Sequence, residues 1–203
     1  MSSIDNNKKL AIDIALLLPP EIVEVCVALN KESDKTKYIS FLDGYQPHIS
    51  LAMGCVLESD FSKLKQELEG KTKGVQALTL SILEFETWPV DQKVIFGLSV
   101  LLTNEIKILH ALCMEVMKRY ASYESSPEMF DEPERINERS INWVNNYKKH
   151  FNPDIYKPHI TLGADFAKSV PIISKQFISS KLAVFQLGPY DTCRKMLTSF
   201  DLK

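Results

Sequence analysis

Two short segments of this 203-residue chain hold the side chains best suited to chemistry: Pro47-His48-Ile49-Ser50-Leu51 and Pro158-His159-Ile160-Thr161-Leu162. Both fit Pro-His-Ile-[Ser/Thr]-Leu. Treating positions as independent, two chance copies of the full pattern are expected well below ~1 time in 1,000, so shared ancestry of two half-domains is the better explanation. In an extended strand, alternate residues share a face. His48 and Ser50 therefore stand together, as do His159 and Thr161, while the Ile and Leu of each motif anchor the opposite face in a core. Two imidazoles titrating near neutrality can divide into a base and an acid. One takes the proton of an attacking hydroxyl and the other protonates the leaving oxygen, with Ser50 and Thr161 holding the oxygens of a phosphate between them. That is metal-free acid–base displacement at phosphorus.

The neighbours of the motifs carry weaker signals. Lys157 shares the face of His159 and Thr161 and could lend positive charge to a phosphate; the competing reading is a solvated strand-end lysine. Gln46 takes the equivalent place in the first half. Tyr45, Trp88 and Tyr156 are candidates for stacking on a base, and Phe96 fits a core position better. His110 falls on the apolar stripe of a long helix and reads as packed. His150, after Lys148-Lys149, reads as a surface residue at a helix end. No HExxH or H-x-H spacing exists, and neither motif contains a carboxylate to complete a ligand set. A metal hydrolase is thus not expected, and no metal or cofactor is called for.

The elements that must position these groups follow from periodicity and punctuation. Residues 1–9 read as a flexible N-terminus and 10–18 as a buried strand. Pro19-Pro20 open a helix with Ile22, Val25, Cys26 and Leu29 on one face. A polar loop ends at the Asp43-Gly44 turn, and the first motif strand spans 46–53. A helix capped at Ser59 or Asp60 is expected to stop at Gly70. Strands follow at 77–85 and 93–100, with Trp88-Pro89 and Asp91 in the turn between them. Thr103 or Asn104 caps a long helix with Ile106, Leu109, Cys113, Val116 and Tyr120 inside. Residues 122–150 begin irregular, contain a short helix around Ile136 to Tyr147, and form a candidate flap. The second motif strand spans 156–163, a short helix is placed near 168–177, and strands at 181–188 and 194–201 close the chain. The unit of motif strand, helix and hairpin thus occurs twice, at about 47–100 and 158–202, within one α+β domain.

Composition bounds the partners and the setting. Apolar residues make up 45% and charged residues 25%, enough for a packed core and too apolar for disorder. A net charge of -2 lacks the basic excess of proteins that grip long duplexes. Cys26, Cys55 and Cys113 sit in apolar runs, and none of the four cysteines forms a CxxC pair, which suits thiols in a reducing compartment. The apolar run Leu10 to Leu18 is interrupted by Asp13 and falls far short of the roughly 20 residues a membrane helix needs. A cytoplasmic monomer is the expectation.

The paired motifs resemble those of the 2H phosphoesterase superfamily, in particular its LigT-like branch, the 2'-5' RNA ligases. Ile12-Asp13-Ile14-Ala15 running into Leu18-Pro19-Pro20-Glu21 is similar to that family's first strand and helix. Val94-Ile95-Phe96-Gly97-Leu98 looks like its central strand, and Leu109-His110-Ala111-Leu112 fits its long helix. The resemblance covers about 10–202. It implies a bilobal duplicated fold, with two antiparallel-dominated sheets flanking a central groove and helices outside. It also implies His48 and His159 as the acid–base pair, Ser50 and Thr161 as phosphate ligands, and nucleotides or short RNA with a 2',3'-cyclic phosphate or a 2'-5' linkage as substrates, with reversible ligation in some members. Many members carry an arginine shortly after the second motif; here Gly163-Ala164-Asp165-Phe166 follows. Lys157 is the nearest cation, and an ammonium does not reproduce a bidentate guanidinium. The alternative on the same fold is a nucleotide- or RNA-binding module without turnover.

Overall fold

The computed structural model describes residues 8–33, 38–90, 92–151, 153–165 and 175–203. Most of the expected loose N-terminus lies outside this set; Lys9 already belongs to β1 (Lys9–Leu17). Helix α1 (Pro20–Asn30) starts on a proline, where the missing N–H costs nothing, and buries Ile22 and Cys26. β2 (His48–Leu57) carries the first motif. α2 (Phe61–Thr72) and the hairpin β3 (Leu78–Val90) and β4 (Lys93–Val100) follow. Thr103 caps α3 (Asn104–Tyr120) by accepting from the Ile106 N–H. A two-residue strand β5 (Ala121–Ser122) and helix α4 (Glu138–Asn146), capped by Asn137, lead to the second motif in β6 (His159–Ala164). β7 (Gln176–Ser179), β8 (Lys181–Leu187) and β9 (Cys193–Asp201) end the chain.

These strands form two antiparallel sheets, ordered β5-β2-β1-β8-β9 and β6-β4-β3-β7. The α+β reading with two antiparallel sheets is borne out, but the repeats are interlaced. The first motif strand shares its sheet with the hairpin of the second repeat, β8–β9. The second motif strand shares its sheet with the first repeat's hairpin, β3–β4. Among the described residues both motif strands lie at sheet edges: β6 is terminal, and β2 is covered on its outer side at Cys55 and Val56 alone, by β5. The two edges pack against one another, so the sheets meet where the histidines are. Ile49, Leu51, Ile160 and Leu162 are all fully buried behind them, each worth about 1.5–3 kcal/mol of burial.

Several elements differ from the sequence reading, the second motif strand among them, which starts at His159 rather than 156. β2 runs on to Leu57, since β1 continues to pair with it as far as Lys9. α2 passes through Gly70 and ends at Thr72, whose hydroxyl bonds the Leu68 carbonyl; Gly74, at φ 96°, makes the actual turn. Trp88 and Pro89 lie inside β3 rather than in a turn; among the described residues β3 pairs there with β4 alone, a position that tolerates proline. The helix placed near 168–177 falls mostly outside the described residues, and Gln176–Ser179 is strand β7 against Leu78–Ser81.

Candidate active site

The two motif strands share more than residue types. His48 Nδ1 donates to the Gln46 carbonyl at 2.7 Å, and His159 Nδ1 donates to the Lys157 carbonyl at 2.9 Å. A carbonyl only accepts, so each Nδ1 carries the proton and each Nε2 is left for chemistry. The register of both strands breaks at the same place. Ala15 pairs with Ser50 and Ile14 with Ala52, so Leu51 is the extra residue of a β-bulge. Gly97 pairs with Thr161 and Phe96 with Gly163, so Leu162 is the extra residue in the other sheet.

Side chains satisfy the exposed backbone of these edges. The Tyr156 hydroxyl donates to the Ser50 carbonyl at 2.8 Å, and His110 Nδ1 bonds the Leu51 carbonyl at 2.7 Å. Those two rings stack on each other at 3.9 Å and 2°. His110 is therefore packed, as expected. Tyr156, one of the stacking candidates, is buried and already has a ring partner. On β6, Asn30 donates to the Leu162 carbonyl, while the Ser33 hydroxyl donates to the Ala164 carbonyl and accepts from the Ala164 N–H. Helix α1 and its following turn thus hold the second motif strand.

The surroundings of the histidines differ. Asp13, on β1, has no exposed surface. Its Oδ2 accepts from the Ser50 hydroxyl at 2.7 Å, lies 3.5 Å from His48 Nε2 and is approached by the Cys193 thiol at 3.7 Å. Its Oδ1 is buried without a hydrogen-bond partner. Burial pushes the Asp13 carboxyl up to about 8, against the lowering effect of the Ser50 and Cys193 hydrogen bonds. Burial pushes the His48 imidazole down to about 4; the Gln46 carbonyl opposes this and the charge of nearby His159 adds to it. Near neutrality Asp13 keeps its proton and His48 stays neutral, so their contact joins two uncharged groups. The His48 side chain retains 14% exposure.

His159 instead meets Trp88, with ring centroids 5.3 Å apart at 57°. A side chain at Gly97 would drive its Cβ into the Ile160 carbonyl oxygen and to 2.9 Å from the Trp88 ring, so only glycine allows this approach. Trp88 is half-buried beside the histidine. Tyr45 is buried, bonds Glu132 and Arg135, and lies beneath Arg194 at 4.7 Å. Phe96 is core. Lys157 and Gln46 are exposed at the starts of the two motif strands, and their carbonyls hold the histidine rings. Among the described residues the Thr161 hydroxyl has no hydrogen-bond partner, whereas Ser50 gives its proton to Asp13.

Asp13 and Cys193 escaped the sequence reading. A lone carboxylate inside a buried strand was the available signal, since burying one costs several kcal/mol unless it is protonated or paired. Cys193 carried none: it approaches His48 through an isolated bridge in which the Gln46 N–H donates to the Cys193 carbonyl at 2.9 Å.

No family model matches the chain, and no curated protein matches it. Solved structures do. The fold is similar to that of a phosphoesterase (15% identity, 96% of this chain and 99% of that one, TM-score 0.56). It is also similar to TT0787 of Thermus thermophilus (14% identity, 95% and 98%, TM-score 0.56). E. coli LigT complexed with 3'-AMP matches at 16% identity over 96% and 99%, with a TM-score of 0.58. The chain thus shares its fold with these phosphoesterase and LigT structures.

Proposed function

We propose that the protein is a metal-independent phosphodiesterase. Its substrates are nucleotides or short RNA with a 2',3'-cyclic phosphate or a 2'-5' linkage, and the reverse, ligating direction uses the same groups. The observation that carries this reading is the repeated histidine anchor. Two imidazoles on adjoining sheet edges are each fixed through Nδ1 to the carbonyl two residues earlier, and each keeps Nε2 for proton transfer. His48, held neutral by burial, takes the proton of the attacking hydroxyl. His159 protonates the leaving oxygen. Thr161, with an uncommitted hydroxyl, and Lys157 hold the phosphate oxygens. Ser50 contributes after its hydroxyl turns from Asp13. E. coli LigT has been crystallised with 3'-AMP, ATP and phosphate, which supports a nucleotide phosphate as the guest here.

Residues 122–150 are proposed as a wall that narrows the groove to small substrates. The Asp131 N–H bonds the Leu187 carbonyl, and Gln186 bonds the Met129 carbonyl, which ties this segment to β8. Four unpaired buried cysteines suit a cytoplasmic, reducing setting. Among the described residues no helix is long and apolar enough to cross a membrane.

The test is a substrate panel in chelator: 2',3'-cyclic nucleotides, 3',5'-cyclic nucleotides, ADP-ribose cyclic phosphate and a 2'-5' dinucleotide, with products identified. Turnover of a 2',3'-cyclic or 2'-5' substrate that drops ~10²–10⁴-fold in His48→Ala and His159→Ala is expected. Binding of a 2'-phosphate nucleotide without any turnover would instead assign the chain as a binding module.

A further inference from the structure

His48 Nε2, the Asp13 carboxylate and Cys193 Sγ come from three strands, and their ligand atoms all lie within 4.8 Å of one another. We propose that they form a site for a thiophilic divalent metal, Zn²⁺ above all, and that occupation of this site switches the enzyme off by taking Nε2 of His48. The inhibition rests on the catalytic reading above; the metal binding does not.

Two of the three edges have the spacing of a coordination polyhedron. Zinc bonds of about 2.0–2.1 Å to nitrogen, 2.0–2.2 Å to oxygen and 2.3 Å to sulfur place tetrahedral ligand atoms about 3.3–3.6 Å apart. The nitrogen-to-oxygen edge is 3.5 Å and the sulfur-to-oxygen edge 3.7 Å. The third edge, from His48 Nε2 to Cys193 Sγ, lies within 4.8 Å, so an ion draws those two atoms together by up to about 1 Å. Asp13 Oδ1 has no partner to lose, so the carboxylate can adjust to the ion without breaking a bond through that oxygen.

The outer contacts also match a metal site. A ligating histidine commonly donates its other N–H to a carbonyl, as His48 does to Gln46. A ligating carboxylate is commonly hydrogen-bonded, as Asp13 is by Ser50. The Gln46–Cys193 bridge sets the distance between the two segments that supply sulfur and nitrogen. The partly exposed His48 ring gives the ion its approach and leaves a fourth position for water. One sulfur, one nitrogen and one oxygen select zinc-like ions over Mg²⁺ or Ca²⁺. On binding, the Cys193 thiol and the Asp13 carboxyl each release a proton to solvent as the Zn–thiolate and Zn–carboxylate bonds form, with no change of oxidation state.

Cobalt titration of the metal-free full chain tests this without any substrate. A near-ultraviolet thiolate-to-cobalt band and the visible bands of a tetrahedral ion are expected, both displaced by one equivalent of Zn²⁺. Cys193→Ser should abolish the near-ultraviolet band and weaken zinc binding by at least ~10–100-fold. His48→Gln, at a partly exposed position, should likewise weaken binding and serves if Cys193→Ser does not fold. With a turned-over substrate, zinc should inhibit the parent protein and spare Cys193→Ser, which keeps its basal rate in chelator. Absence of a thiolate band in the parent, or its persistence in Cys193→Ser, overturns the site. Zinc binding at this site without inhibition overturns the switch. Should the chain turn over no substrate, the catalytic reading and the switch fall together, and the cobalt bands alone still decide whether the metal site exists.

Discussion

The two motif strands share a backbone and differ in what stands behind it. Both place a histidine ring on the carbonyl two residues earlier, and both bulge at the motif leucine. Across the pairing, Ala15 faces Ser50 and Gly97 faces Thr161. Two residues earlier on those neighbouring strands stand Asp13 in one sheet and Ile95 in the other. One histidine therefore has a buried acid and a thiol beside it. The other has an apolar strand and a tryptophan. The two strands keep the same geometry that aims an imidazole, while the residues beside each ring differ. The proposed role of His48 as base rests on its burial, which holds the imidazole down at about 4.

The largest expected effect tests what the halves share. His48→Ala and His159→Ala should each lower kcat by ~10²–10⁴-fold with thermal stability retained. A large loss in one and none in the other would break the equivalence. The next tests what they do not share. Trp88→Ala should raise KM by about 5–100-fold with a smaller change in kcat, as expected where a ring stacks on a base. If kcat falls and KM does not move, Trp88 acts on the pose of His159 rather than on the guest.

Acidity sharpens the comparison further. His48 should lose its neutral form only as pH falls through about 4, so the acidic limb of the kcat/KM profile belongs near 4 rather than near 6.5. Asp13 has the opposite sign: its proton is held to about 8 in the fold and released near 3.8 in the unfolded chain. Its effect is therefore a loss of stability that grows as pH rises from 3.8 to about 8. Asp13→Asn removes that loss. Its melting temperature relative to the parent should climb between about pH 4 and 8, by the equivalent of a few kcal/mol at most. A flat difference across that range would mean that Asp13 is ionised in the fold. The smallest effect concerns matched backbone positions. Ala15 is tolerated opposite Ser50, but Gly97→Ala should cost about 1–3 kcal/mol, because the added methyl meets the Ile160 carbonyl and Trp88. Urea unfolding measures this.

Much of the architecture could be read along the chain because it rests on local rules. The proline-started α1, the Thr103 cap of α3 and the alternation in both motifs depend on residues a few positions apart. The α2 boundary shows where this reading fails. Gly70 looks like a stop signal, yet it sits in an open helical position with no atom within 4 Å of its missing Cβ, and the left-handed turn falls at Gly74. Trp88-Pro89 reads as a turn until β4 is known to extend beside it.

The paired histidines and hydroxyls, and the strands that present them, were determined by sequence, since a two-residue period is enough to place His and Ser or Thr on one face. Which strands became neighbours was decided only by the tertiary structure. Interlacing the repeats brings Asp13, from the first strand, and Cys193, from the last, against His48, and sets Trp88 against His159. Contacts between residues so far apart along the chain leave no periodic trace, because they are selected by how sheets pair and pack rather than by local geometry. The shift in Asp13 and His48 arises from that packing, through the removal of water around both groups.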